Sequence, residues 1–148
     1  MFKKIVVGLD GSETSENALR IACDLAQKYS SELHLVHTPQ PNTVAFAMGA
    51  VAGYHAVTTM PSLADVKTAG EKILNSGVLI VEQAKQSVAQ THLGSGDPAD
   101  AITGYAKTTG ADLIVTGRRG LGAVGALMLG STSLKIGHNA ECACLSVI

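Results

Sequence analysis

Between residues 117 and 133 the chain reads GRRGLGAVGALMLGSTS, with glycines at Gly117, Gly120, Gly122, Gly125 and Gly130 and hydroxyls at Ser131, Thr132 and Ser133. Glycine admits positive φ and lets a ligand approach bare backbone N–H groups. Hydroxyls and unpartnered N–H groups at a helix start donate to an anion, and the helix dipole adds to the attraction. The apolar run Leu113-Ile114-Val115 just before this stretch reads as a buried strand. Strand, glycine loop and hydroxyl-bearing helix start together make the plan of a phosphate cradle. The plainer reading is a loop that is merely rich in glycine.

Other chemistry is less well supported. Gly120-Leu121-Gly122-Ala123-Val124-Gly125 satisfies G-x-G-x-x-G literally. That fingerprint should open a βαβ unit and be followed by an acid at the end of the next strand. Here one strand remains, and Glu141 precedes it. No Gly-Lys-Ser/Thr run is present. No general base, Ser–His–Asp order or metal-ligand spacing emerges, although triads assembled in space stay open. His34, His55 and His92 receive no role, His37 reads as strand-end packing, and His138 suits a helix C-terminus. The three cysteines, Cys23, Cys142 and Cys144, form no framework. They point to reduced thiols in a cytoplasmic chain, packing as small hydrophobes. Alternation along a strand would aim Cys142 and Cys144 at one face.

The elements that must position the cradle follow from hydrophobic period. Residues 4–9, KIVVGL, form an almost continuous β-branched run, which suits a strand buried on both faces. Ser12 then caps a helix over residues 12–29, whose Ala18, Leu19, Ala22, Leu25 and Ala26 recur at helical spacing. Residues 32–37 read as a second strand. From Thr38 to Pro61 the period lapses, with three of the four prolines. This unusually apolar stretch covers a ligand, packs on a partner or lacks order, and the residues do not choose among these. Ser62-Leu63-Ala64-Asp65 forms a capping box with Asp in place of Glu. The helix it opens is expected to run to about Val88, and residues 89–93 make the weakest strand. Asp97-Pro98 opens a third helix and Gly110 stops it in the left-handed region. Residues 111–116 form the fourth strand, 131–138 a short helix, and 143–148 the fifth strand. This alternation predicts one domain, residues 1–148, with an open, doubly wound, five-stranded parallel sheet and helices on both faces. Ligands of such sheets bind outside the carboxyl ends of the strands. Gly8, Leu9 and Asp10, His37 and Thr38, and Thr116 and Gly117 all fall there, so one crevice can contain them.

Bulk composition narrows the class. The 148 residues are 46% hydrophobic and 16% charged, with net charge −1. That supports an aliphatic core and argues against disorder. No basic stripe points to nucleic acid or an anionic membrane. The N-terminus lacks a signal-peptide pattern, and the longest apolar stretch, residues 44–52, is too short to span a bilayer.

The better spacing in the cradle is Gly117-x2-Gly120-x9-Gly130-Ser131. With residues 7–13 (VGLDGSE), Gly96-Asp97-Pro98 leading to Ile102, and residues 111–115 (ADLIV), it resembles the ATP-binding branch of the universal stress protein family. The resemblance spans the chain except the irregular part of 38–61. It implies that Asp10 holds the ribose or the adenine side and that Thr38 and Thr116 line the adenine pocket. It also implies that Gly117, Arg119 and Gly120 approach the phosphates and that Gly130, Ser131, Thr132 and Ser133 bind them. It further implies a divalent cation, magnesium, between the phosphates, and a homodimer pairing through the strand at 143–148. An exposed edge there invites such pairing, and Ala143 departs from the proline common in the family. Taken by themselves, Asp10 also fits an Asx-turn, Ser131 a plain N-cap, and Arg118 a solvated charge. The function implied is a nucleotide-dependent regulator of stress responses, with at most slow ATP hydrolysis. A nucleotide-free dimerisation module of the same family and an AMP-transferring α/β enzyme are the alternatives.

Overall fold

A computed structural model describes residues 1–40, 62–118 and 130–148. Among them the chain alternates β1 (Lys4–Leu9), α1 (Glu13–Tyr29), β2 (Glu32–His37), α2 (Leu63–Gln83), β3 (Val88–Leu93), α3 (Pro98–Thr109), β4 (Leu113–Gly117), α4 (Ser131–Asn139) and β5 (Ala143–Val147). The strands form one sheet in the order β3-β2-β1-β4-β5, and every pair is parallel. The expected doubly wound sheet is therefore observed. Winding runs outward from β1 through β2 to β3, then restarts on the other side of β1 with β4. The reversal lies between β1 and β4, where such folds open a crevice at the carboxyl ends.

Central position explains the composition of β1. Ile5, Val7 and Leu9 join Leu33 and Leu35 of β2 in a core shared with Leu19 of α1 and Ile73 of α2. Val6 joins Val36 and Ile114 against Ile102 of α3 and Ile136 of α4. Both faces of β1 are thus covered, so period-2 alternation disappears from its sequence. At the other end of the sheet, Asp112 accepts from the backbone N–H of Lys3 and Lys4 at 2.8 and 2.9 Å. These two bonds hold its carboxyl below the usual range and pin the start of β4 beside β1.

Helix starts follow the cap residues read from sequence. Ser12 accepts from Ser15 N–H, Ser62 and Asp65 form a reciprocal capping box, and Asp97 accepts from Asp100 N–H ahead of Pro98. Gly110 ends α3 with φ 67. The end of α2 differs from expectation: the helix stops at Gln83, and β3 starts at Val88. Lys85 takes φ 57, Gln86 N–H donates to Val81 O, and Lys85 N–H donates to Glu82 O. This is a Schellman stop built on lysine, so no glycine marks it in the sequence. β4 also extends one residue past Thr116, so Gly117 is its last residue.

Cys23, Cys142 and Cys144 are free. Burial, with Asp24 nearby, pushes the Cys23 thiol up to about 11, so it is protonated at neutral pH. Burial also raises Cys142 and Cys144. Cys23 is buried in the core, Cys142 is half-buried and Cys144 is exposed.

Candidate functional site

At the end of β1 the chain turns through Asp10 and Gly11 into α1. Asp10 Oδ1 accepts from Ser12 N–H at 3.0 Å and from Ser12 Oγ–H at 2.5 Å. Ser12 Oγ in turn accepts from Ser15 N–H at 3.2 Å. The Asx-turn is therefore formed, and it fixes a half-buried carboxylate at the positive end of α1. Gly8 is buried. Leu9 is 6% exposed and its side chain belongs to the core, so at Leu9 only the backbone is left to face a ligand.

The end of β4 locks three elements together. A Cβ on Gly117 would lie 2.8 Å from Ser15 N, from Thr14 C and from Thr14 Oγ1. Only glycine lets β4 come this close to the first turn of α1. Gly117 O accepts from the buried Ser133 Oγ–H at 2.7 Å. Arg118 O accepts from Gly130 N–H at 2.7 Å, and Arg118 N–H donates to Val147 O at 2.5 Å. The two ends of the glycine-rich segment are thereby joined, and α4 begins directly at the tip of β4. Thr116 is buried beside Gly8, whose added Cβ would lie 3.0 Å from Thr116 Cγ2.

The N-cap of α4 is Gly130, not Ser131, and no side chain caps it. The reason lies in Ser133: its hydroxyl is spent on Gly117 O, and Gly130 O already accepts from Leu134 N–H at 3.0 Å. First-turn N–H groups have no acceptor within their own helix. Those of α4 stand beside an exposed Ser131 and a half-buried Thr132. Lys135 fixes the same helix to the start of α3 through Asp97 at 3.1 Å and Asp100 at 2.9 Å. Arg119 and Gly120 lie outside the described residues, as does the 41–61 part of the irregular stretch.

At the end of β2, His37 is 1% exposed and its Nδ1 donates to Leu9 O at 2.7 Å. The carbonyl can only accept, so the proton sits on Nδ1. Burial pushes the imidazole below its ordinary 6.5, against the smaller raising effects of the Leu9 bond and of Asp10. The unfolded chain takes up this proton as pH falls through 6.5, whereas the folded chain resists it. The contribution to stability is complete above pH 6.5 and is lost as pH falls from there toward the depressed folded value. In urea titrations from pH 7.5 downward, the stability gap between wild type and His37→Gln is expected to shrink below pH 6.5. A gap independent of pH would contradict this burial argument. Thr38 follows, 4% exposed, one residue beyond the Leu9–His37 pair.

The structure thus brings Asp10, Thr38, Thr116, Gly117 and the first turn of α4 to one end of the sheet. Sequence reasoning missed the Lys135 tie and the network in which His34 Nδ1 meets Tyr105 Oη at 2.8 Å while Tyr105 donates to Gln90 at 3.0 Å. His34 and Tyr105 lie 71 residues apart, beyond any local pattern. A separate cavity of about 410 Å³ lies on the flank between α3 and α4, beside Lys107, Asn139 and Cys142. Among the described residues no three His, Cys, Asp or Glu side chains are grouped to hold a metal. Nor is any helix there long and apolar enough to cross a membrane.

Comparison with known proteins gives a consistent picture. A sequence model of the universal stress protein family matches residues 1–147. The universal stress protein YxiE of Bacillus subtilis is 32% identical over 161 residues, covering 99% of each chain. A universal stress protein solved in complex with cAMP has a TM-score of 0.71 at 24% identity, with 99% of this chain and 97% of that one covered. The universal stress protein of Archaeoglobus fulgidus in complex with dAMP has a TM-score of 0.71 at 19% identity, covering 99% and 98%. At these identities the solved structures establish the fold.

Proposed function

The chain belongs to the universal stress protein family, and from that membership we propose that it is a stress-response regulator of the ATP-binding branch. Its adenine nucleotide, ATP or its products ADP and AMP, occupies the crevice at the carboxyl ends of β1, β2 and β4. What supports this reading above all is the junction at Gly117. That residue abuts the first turn of α1 and accepts from Ser133, so the start of α4, which no side chain caps, is tied to the helix that follows the Asp10 turn. The cAMP and dAMP complexes of structural relatives point to the same ligand class.

In this reading the first-turn N–H groups of α4 and the hydroxyls of Ser131 and Thr132 take the phosphates. Gly117, Gly120 and Gly130 let them approach the backbone, and Arg119 adds charge. Ser133 contributes its N–H, because its hydroxyl proton is committed to Gly117 O. Gly8 and Leu9 bring the backbone of β1 to the ligand, Asp10 accepts from ribose hydroxyls, and Thr38 and Thr116 line the base. Asp10 is the carboxylate at this rim, and its Oδ1 already serves Ser12, so magnesium arrives with the triphosphate rather than in a cage of side chains. Any ATP hydrolysis is expected to be slow, resting on phosphate positioning and charge.

Protein denatured after purification should release ATP, ADP or AMP, detected by mass spectrometry. Gly130 has φ −59 and ψ 147, which valine adopts without strain. Gly130→Val should therefore fold and yet lose at least tenfold in ATP affinity by calorimetric titration. Equal affinity would move the phosphates away from this helix start.

The same reading includes a homodimer through residues 143–148 of a cytoplasmic chain. β5 lies at one edge of the sheet with Ala143, Cys144 and Ser146 exposed. Lysine at both 144 and 146 would oppose like charges across such a pairing. Sedimentation should show wild-type dimers and monomers of Cys144→Lys/Ser146→Lys; dimers of both would place the interface elsewhere.

A further inference from the structure

Two thiols stand at the amino end of β5, Cys142 and Cys144. Ile114 of β4 lies opposite Cys144. Ile114 belongs to the core under α3 and α4, and Cys142 packs against that same core. Side chains alternate along a strand, so both sulfurs occupy this face, as their spacing predicts. Residues two apart on a strand are separated by about 6.7 Å. Cys144 narrows that gap: its Sγ lies 3.6 Å from Cys142 O, so it leans back along the strand. Two sulfurs sharing one metal ion need a separation of about 4.6 Å at most, twice a metal–thiolate bond of about 2.3 Å. Both are accessible, Cys144 at the surface and Cys142 on the wall of the 410 Å³ cavity between α3 and α4. Burial, then Cys144 and Asp112 nearby, pushes the Cys142 thiol up, and burial raises Cys144. Both thiols therefore keep their protons at neutral pH. Adjacent thiolates repel each other, and a cation between them offsets that repulsion.

The number of ligands decides which ion fits. The Asp112 carboxylate is held by the N–H groups of Lys3 and Lys4, and Glu141 is paired with Lys107. Among the described residues no three His, Cys, Asp or Glu side chains are grouped to hold a metal. Structural zinc takes four ligands. Two thiolates alone suit a soft ion content with linear coordination, which is Cu(I). We propose that Cys142 and Cys144 bind one Cu(I) ion as a two-coordinate bis-thiolate. Two copper–sulfur bonds form and the two thiol protons pass to solvent. No electron moves, because the copper arrives reduced. The site is distinct from the phosphate cradle, which lies at the other end of β5, where Val147 O accepts from Arg118 N–H. Pairing of a second copy along the edge of β5 engages backbone groups and leaves the thiols on the face of the sheet.

The test is an anaerobic titration of the reduced full chain with Cu(I), in competition with the chromophoric chelator bicinchoninate. Wild type should withdraw one Cu(I) per chain from the chelator and release two protons per copper in weakly buffered solution. Cys144→Ser and Cys142→Ser should each lower Cu(I) affinity by more than about 100-fold, beyond the 10- to 100-fold that losing an outer partner of a metal ligand costs. Cys144 is exposed, so serine there leaves the fold intact and that variant is decisive by itself. Cys23→Ala, whose thiol lies in the core on the other face of the sheet, should bind copper as wild type does. Failure of wild type to compete with the chelator, or wild-type affinity in Cys144→Ser, overturns the proposal. Half a copper per chain would draw the ligands from two copies and overturns it as well. No nucleotide enters the experiment, so each of these results leaves the nucleotide reading untouched.

Discussion

Gly117→Ala is expected to destabilise the chain by about 1–3 kcal/mol, the usual cost of forcing a methyl into a packed interior. The added carbon would lie 2.8 Å from Ser15 N and Thr14 C. Those are backbone atoms of the first turn of α1, which cannot swing aside as a side-chain tip can. Relief requires either α1 or the end of β4 to shift, and the second movement drags the carbonyl that holds Ser133. The same substitution should therefore cost ATP affinity as well as stability. Gly104→Ala is the control. Nothing lies within 4 Å of an added Cβ there, and the residue is inside α3, so helix propensity should raise stability by up to about 1 kcal/mol. Opposite signs at the two glycines, read from urea midpoints, would support close packing at Gly117. A neutral Gly117→Ala would contradict it.

Asp10→Asn should separate the two roles that one carboxylate plays. Asparagine keeps an oxygen acceptor for Ser12 N–H and Ser12 Oγ–H, so the turn survives and stability should change by less than about 1 kcal/mol. The charge is lost. Hydrogen bonds to a charged acceptor contribute about 1.5–3 kcal/mol, so ATP affinity should fall by roughly 10- to 100-fold. Asp10→Ala removes the turn acceptor too and should lose stability along with affinity. Wild-type affinity in the asparagine variant would reduce Asp10 to a turn residue.

Much of the fold was legible because its signals are local. The apolar run of β1, the caps at Ser12, Ser62 and Asp97, and the stop at Gly110 each act within a few residues. The stop at Lys85 was not legible, since lysine carries no left-handed preference and the Schellman bonds impose φ 57. The cap of α4 lies at Gly130, one residue before the capping type Ser131, for a similar reason. Ser131 is a good capping residue by type, but a long-range bond from Ser133 to Gly117 sets where the helix begins. In the site, strand ends gave the positions of Asp10, Thr38 and Thr116. The unpaired state of Thr38 Oγ1 depends on Gly94 and α3, 56 or more residues away in the chain, and no motif encodes it. Arg119, Gly120 and residues 41–61 lie outside the described residues, so their roles rest on the sequence alone.

The central claim is that the start of α4 and the turn after β1 grip one adenine nucleotide. Amide chemical shifts of uniformly labelled protein titrated with ATP test it residue by residue. The largest changes should fall on Gly130 to Ser133, on Asp10 to Ser12 and on Thr38, saturating together. Changes centred instead on Lys107, Asn139 and Glu141 along the α3–α4 flank, or none at saturating ATP, would contradict it.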